Sequence, residues 1–207
     1  MGLFSFLKTE KLPFSDKVWK VKSFAVKGLM TDALIALKTG DQPVVTSFFQ
    51  DGVDLLKEFI LEQQVPHQII LSNSDGFNSK IVLVLSHELI RSRHLSFKNI
   101  EKVRLLILGH YPLPEKELNY LSYLTKSRDV TITFYSSLED EVMKPFNPER
   151  MMDIMNKLGM RDDEAIEHDL VTKSMERARE KIQNLVRTER ESNIEREWFA
   201  RNLPEKF

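Results

Sequence analysis

The sequence predicts an α/β protein: one parallel sheet with helices on both faces, followed by a helical C-terminal extension. Three observations carry this. Five short runs are apolar almost throughout rather than at alternate positions, which is the pattern of strands covered on both faces. Stretches with helical spacing separate them, as parallel strands require a long crossover. After Ser137 the β-branched runs stop and amphipathic helical patterns take over.

The first run is Pro43–Phe49, and Asp51 is placed to cap a helix on which Val53, Leu56, Phe59, Ile60 and Gln63 recur. His67–Leu71 is the second strand, closed by the turn residues Asn73, Ser74, Asp75 and Gly76. Lys80–Ser86, Val103–Gly109 and Val130–Tyr135 complete the five. Pro112 and Pro114 precede a helix carrying Leu118, Leu121 and Leu124. Further on, Asn147 is a good N-cap, Pro148 suits the first helical position, Met151, Met155 and Leu158 share a face, and Gly159 ends the helix. A longer helix is predicted from about Asp162, with Ile166, Leu170, Val171, Met175, Ala178, Ile182, Leu185 and Val186 as its stripe. Its charged residues, Arg179 and Glu189 among them, read as a solvated face. Trp198, Phe199 and Leu203 either fold back onto the domain or form a contact surface. These patterns divide the chain into an N-terminal arm (1–14) dispensable for folding, an α/β domain (15–145) and a helical extension (146–207).

Composition narrows the functional classes. The 30 Lys and Arg against 31 Asp and Glu leave a formal charge of -1, which argues against nucleic acid as a partner. The absence of cysteine excludes disulfides, thiolate metal sites and cysteine nucleophiles. A cytoplasmic protein is the expectation, since no apolar run approaches the ~20 residues that span a bilayer. Met1–Lys8 is apolar enough to touch a lipid interface, but Phe6 stands where myristoylation needs Ser or Thr, and a core-docked or frayed terminus is the plainer reading.

Chemistry-bearing motifs are scarce. The seven glycines form no phosphate-binding loop, and the five histidines have no zinc-ligand spacing. Glu139-Asp140-Glu141 reads as a charge cluster at a helix start rather than a metal site. Ser86-His87-Glu88 follows a strand, where doubly wound enzymes keep catalytic residues, but adjacent residues do not converge as a triad. No catalytic, cofactor-binding or metal-binding residue is therefore assigned, and no cofactor is expected.

One block is distinctive. Phe134-Tyr135-Ser136-Ser137-Leu138-Glu139-Asp140-Glu141-Val142-Met143-Lys144-Pro145-Phe146 resembles a segment of the SecA preprotein translocase ATPase family that reads F-Y-x-S-x-E-D-x-L-M-x-x-F. Arg150, Met155, Lys157 to Met160 and Glu164 to His168 then match that family's R…M…K-L-G-M…E-A-I-E-H at equal spacing. Upstream, Gln42 to Val45 is similar to the Q-P-V-L-V strand of the family's second nucleotide-binding domain, and Asp16, Val18 and Trp19 resemble the start of that domain. The resemblance implies a RecA-like second motor domain plus the start of the helical scaffold.

Departures from the family decide the functional expectation. Leu85 to Ile90 stand where the family has N-M-A-G-R-G-T-D-I, and Gly109 to Glu115 where it has G-T-E-R-H-E-S-R-R-I-D. Tyr120 to Arg128 replace an arginine-rich segment, and the family's first domain, with its Walker lysine, has no counterpart in this sequence. The resemblance thus implies a degenerate pseudo-enzyme: a non-catalytic scaffold or interaction module linked to protein translocation. Its protein partner would be a SecA motor, another export component, or a second copy. The alternative is a nucleotide-binding subunit that completes an ATPase site in trans, with Ser72 to Asn78, Glu88 to Arg93, and above all Arg91 and Arg93, as its ligand loops.

Overall fold

Strands apolar on both faces need cover on both faces, and this chain supplies it. A computed structural model describes residues 14–204 apart from 74, 79, 93, 94, 96, 98, 99, 101, 123, 125–128, 147, 158 and 166–168. Its elements run β1 (Phe14–Trp19), α1 (Lys22–Thr39), β2 (Gln42–Ser47), α2 (Gln50–Glu62), β3 (His67–Ile70), β4 (Val82–Leu85) and α3 (His87–Arg91). There follow β5 (Val103–Leu108), α4 (Pro114–Leu121), β6 (Val130–Ser137), a 3-10 turn (Glu141–Phe146), α5 (Pro148–Lys157), α6 (Asp169–Leu185) and α7 (Glu195–Asn202).

The six strands form one sheet in the order β1-β6-β5-β2-β4-β3, with every neighbouring pair parallel. The five expected strands are β2 to β6. A sixth, β1, pairs with β6 at one edge and begins at Phe14, the last residue assigned to the arm. Residues 1–13 lie outside the described residues.

Alternation along each strand divides the core. Val18, Val44, Leu83, Leu85, Leu105, Ile107 and Phe134 face Tyr120, Leu121, Met175, Ile182, Trp198 and Phe199. Trp19, Val45, Val82, Val84, Leu106, Leu108 and Tyr135 face α1 and α2 through Leu29, Met30, Val53, Leu56 and Ile60. The sheet is therefore a middle layer with helices on both faces.

Three local expectations need correction. Asp51 does not cap α2: Phe49 holds the N-cap position in an extended conformation, and the Asp51 carboxylate accepts the Glu195 N–H at 3.3 Å instead. Phe48 and Phe49 leave the strand after Ser47, because their rings are buried beside Tyr111 rather than between strands. The helix expected from Asp162 is first described at Asp169, since the preceding segment is tied to the end of β1. There the buried Lys20 amine donates to the Met160 carbonyl and to Asn156 at 2.9 Å, and pairs with Asp162 at 3.1 Å. Asn147, Leu158, Ile166 and His168 lie outside the described residues.

Gly28 marks a close approach between a helix and the sheet. A Cβ there would lie 2.3 Å from Trp19 Cζ2, and Trp19 is itself stacked on Tyr135 at 5.8 Å. Gly28→Ala is accordingly expected to cost about 1–3 kcal/mol, as overpacking does. Urea unfolding checks this; a stabilised variant, as helix propensity alone would give, would refute the close contact.

Candidate functional site

Open parallel sheets bind ligands at the carboxyl ends of strands, where neighbouring connections leave in opposite directions. Here that point lies between β2 and β5. From β2 the chain goes through α2 to β3 at one edge, and from β5 through α4 to β6 on the other side. The crevice walls are Phe48-Phe49-Gln50 after β2, Ser86 to Arg91 after β4, and Gly109 to Leu113 after β5.

Aromatic rings close the floor. Tyr111 is fully buried and stacks on Phe49 at 5.6 Å with its ring 9° from parallel, so the two sides of the crevice touch. Phe48 and Tyr120 meet the same ring edge-on, at 5.7 and 5.4 Å. Gly109 enters the turn with φ +73, a left-handed conformation that glycine adopts without strain.

The chain's own segment 189–203 occupies the mouth. Gln50 N–H, in the first turn of α2, donates to the Asn193 carbonyl at 2.7 Å. Arg91 lies over the Phe49 and Tyr111 rings, at 4.9 and 5.3 Å, and donates to the Ser192 carbonyl at 3.1 Å and to Asn193 Oδ1 at 3.3 Å. Glu189 accepts from the Tyr111 hydroxyl, from Trp198 Nε1 at 2.6 Å and from Lys116 at 2.5 Å. Burial opposes the charge on Glu189, but these three donors outweigh it and hold its carboxyl below the ordinary range. Burial, and then Glu189, push the Tyr111 phenol far above its ordinary value. Trp198 and Phe199 are fully buried, packed edge-on at 5.1 Å. The expectation left open for Trp198, Phe199 and Leu203 thus resolves as a fold-back.

Beside the crevice, a chain of largely buried charges joins β1, α4 and α6 through the loop after β5. His110 Nε2 lies 3.2 Å from Asp16 on β1, and His110 Nδ1 lies 3.1 Å from Glu117 on α4. Glu117 also accepts the Tyr111 N–H at 2.8 Å and pairs with Arg179 of α6 at 2.6 Å, while Arg179 Nε donates to the Tyr111 carbonyl at 3.1 Å. The imidazole stacks on Phe134 at 4.0 Å. Burial raises the Glu117 carboxyl, but Arg179 and His110 bring it below its ordinary value. Burial and Arg179 press the His110 pKa down, and Glu117 and Asp16 overcome them and raise it. Burial likewise works against Asp16, and His110 lowers it nonetheless.

Several of the residues singled out from sequence have structural partners. Ser86 Oγ accepts the Leu89 N–H at 3.2 Å, capping α3, while His87 is buried and Glu88 is exposed. Burial and the Arg91 charge depress the His87 pKa. Asp140 accepts from Ser137 N–H and Oγ, both at 2.9 Å, and Glu139 accepts the Lys22 N–H at 2.8 Å. The Lys22 amine lies 3.6 Å from Asp140 and 3.4 Å from Glu195, so a fixed cation stands among these carboxylates. Burial, with Asp140, Asp51 and Glu141 adding to it against Lys22, pushes the Glu195 carboxyl up to about 7. In the loop after β3, Asp75 accepts from Leu71 and Ser72 N–H, and Gln68 bridges Gly76 O and Asn78 N. Arg93 lies outside the described residues. Among the described residues, no group of three or more His, Cys, Asp or Glu is placed to hold a metal ion.

Sequence reading missed the buried charge chain. Arg179 was assigned to a solvated face, yet it is only 6% exposed. The signal lay in its spacing: Arg179 is four residues after Met175 and three before Ile182, on the apolar stripe itself.

No protein-family model matches the chain. The protein translocase subunit SecA of Alkaliphilus oremlandii is 52% identical over 50 residues, which make up 24% of this chain and 6% of that protein. The SecA subunits of Chlorobium phaeobacteroides (48% over 50 residues, 24% of this chain and 5% of that one) and Acidithiobacillus ferrooxidans (48% over 54 residues, 26% and 6%) are similar in the same measure. The chain is thus homologous to SecA over about a quarter of its length, and the match spans only about a twentieth of those relatives. Among solved structures, the C-terminal part of the Fun30 ATPase domain superposes with a TM-score of 0.43 at 13% identity, covering 79% of this chain and 54% of that one.

Proposed function

We propose that this chain is a non-catalytic, SecA-like module, a second-motor-domain relative that serves protein translocation as a scaffold binding another protein. The observation carrying the proposal is the filled crevice. At the one place where an open parallel sheet offers ligand-binding loops, the α2 N–H and the Arg91 guanidinium are bonded to residues 192 and 193. The aromatic stack of Phe49 on Tyr111 takes the space beneath. Phosphoryl transfer needs a phosphate cradle, a carboxylate-held Mg²⁺, a lysine and a positioned water. The crevice loops offer a buried histidine, a capping serine and stacked aromatics instead. The block similar to SecA makes packing contacts: Asp140 binds Ser137, Met143 is buried, and the Met160 carbonyl accepts from Lys20.

The protein is accordingly expected to release no phosphate above background at saturating ATP with Mg²⁺. Turnover that survives repurification and disappears in Arg91→Ala would overturn this reading. Calorimetric titration addresses the other class of function: micromolar ATP or ADP binding would favour a subunit completing a nucleotide site in trans.

A further inference from the structure

The segment in the crevice is held as a bound peptide would be. Its contacts are a main-chain bond (Gln50 N–H to Asn193 O), an arginine clamp on residues 192 and 193, a carboxylate anchor at Glu189, and two buried rings. None of these depends on which chain supplies the segment. The covalent link is short and lies at the surface. Val186 N–H still bonds the Ile182 carbonyl at 3.0 Å, extending the ladder of α6, while Arg187 and Thr188 are exposed and Glu189 is the first anchor. Straightening two residues would let α6 run on and carry the segment away intact.

Leu185, the last residue of α6, is a large apolar side chain left 55% exposed beside this hinge. When two copies exchange a segment reciprocally, the pair is related by a two-fold axis, and residues beside the two hinges are brought near each other. Leu185 is the side chain placed for contact there.

We propose that the segment Glu189–Leu203 is exchangeable, so that the crevice takes it from a second copy of this chain and the two form a reciprocal dimer. The inference rests on reading the chain as a protein-binding module and names the partner at its crevice. Intramolecular closure competes with an effective concentration on the order of millimolar, so exchange grows with protein concentration and with conditions that open the hinge.

The native sequence has no cysteine, which makes a clean test available. Gln50 and Asn193 meet through main-chain atoms 2.7 Å apart, so replacing either side chain leaves that bond in place; Asn193→Cys gives up the Arg91 bond to Asn193 Oδ1 and keeps the one to the Ser192 carbonyl. A Gln50→Cys chain and a separately tagged Asn193→Cys chain are mixed, warmed briefly, cooled and oxidised. A covalent heterodimer is expected, its yield rising at least tenfold from micromolar to about millimolar protein. The Gln50→Cys/Asn193→Cys double variant, oxidised when dilute, must close within one chain, which verifies the geometry. Closure in the double variant with no heterodimer in the mixture at any concentration would overturn the exchange. Binding of a free peptide of residues 187–204 without any heterodimer would also overturn it and assign the crevice to another occupant. Phosphate release by the same samples bears only on the non-catalytic reading, so the two ideas fail separately.

Discussion

Arg179→Ala is expected to lower the unfolding free energy by about 3–5 kcal/mol, because it leaves Glu117 charged, buried and short of its strongest partner. Glu117 is 3% exposed, so water cannot replace the guanidinium. The Tyr111 carbonyl loses its Nε donor in the same step. The direction depends on which partner goes. Removing both charges with apolar residues of similar volume, as in Arg179→Met with Glu117→Leu, is expected to recover much of the loss, since a buried pair roughly breaks even against an apolar replacement. Urea unfolding of the single and double variants measures the difference; a loss under ~1 kcal/mol for Arg179→Ala would show the site solvated. The pH dependence has a definite sign on each side. Glu117 and Asp16 have folded pKa values below their unfolded ones, so their contribution is present above the ordinary carboxylate range and is lost as pH falls through the folded values. His110 has a raised folded pKa, so its contribution is full below the ordinary imidazole value and is lost as pH rises through the folded one. Stability should therefore peak between these limits, and in a folded His110→Phe variant the alkaline limb should shrink to the part set by Glu195, whose raised folded carboxyl also costs stability as pH rises toward about 7.

The sheet was legible because parallel strands covered on both faces leave a strong trace: Val82-Leu83-Val84-Leu85 has no polar position, and each of the four is fully buried. β1 was not legible as a strand. Its Ser15, Asp16 and Lys17 break the apolar run that marks the other strands, yet an edge strand with a single neighbour tolerates them, and Asp16 is needed by His110. The start of α6 differs from the helical pattern because Asp162, where that pattern begins, pairs with the Lys20 amine, distant in sequence. The filled crevice was illegible for a related reason. Charge-rich residues 187–197 resemble a solvated helix, and only the folded chain brings Tyr111, Lys116 and Trp198 around Glu189. Local patterns report burial well, whereas partners far apart in sequence are set by topology.

Trp198→Ala is expected to cost about 3–5 kcal/mol, the loss usual for truncating a fully buried aromatic side chain. Two effects add. The indole leaves a cavity walled by Tyr111, 6.2 Å away, and Phe199, 5.1 Å away. Glu189 also loses one of its donors while Tyr111 and Lys116 remain. Trp198→Phe separates the two, since it keeps most of the apolar area and removes only the N–H; a cost nearer 1 kcal/mol is expected there. The chain has only two tryptophans, one in each core layer, so fluorescence can follow both layers independently. In a Trp19→Phe background, Trp198 reports on the crevice segment; in a Trp198→Phe background, Trp19 reports on the sheet. If residues 189–203 are a detachable occupant of the crevice, the Trp198 signal should change at lower urea than the Trp19 signal. Coincident transitions would mean that the segment and the sheet unfold as one unit, and that release of the segment requires unfolding the whole domain.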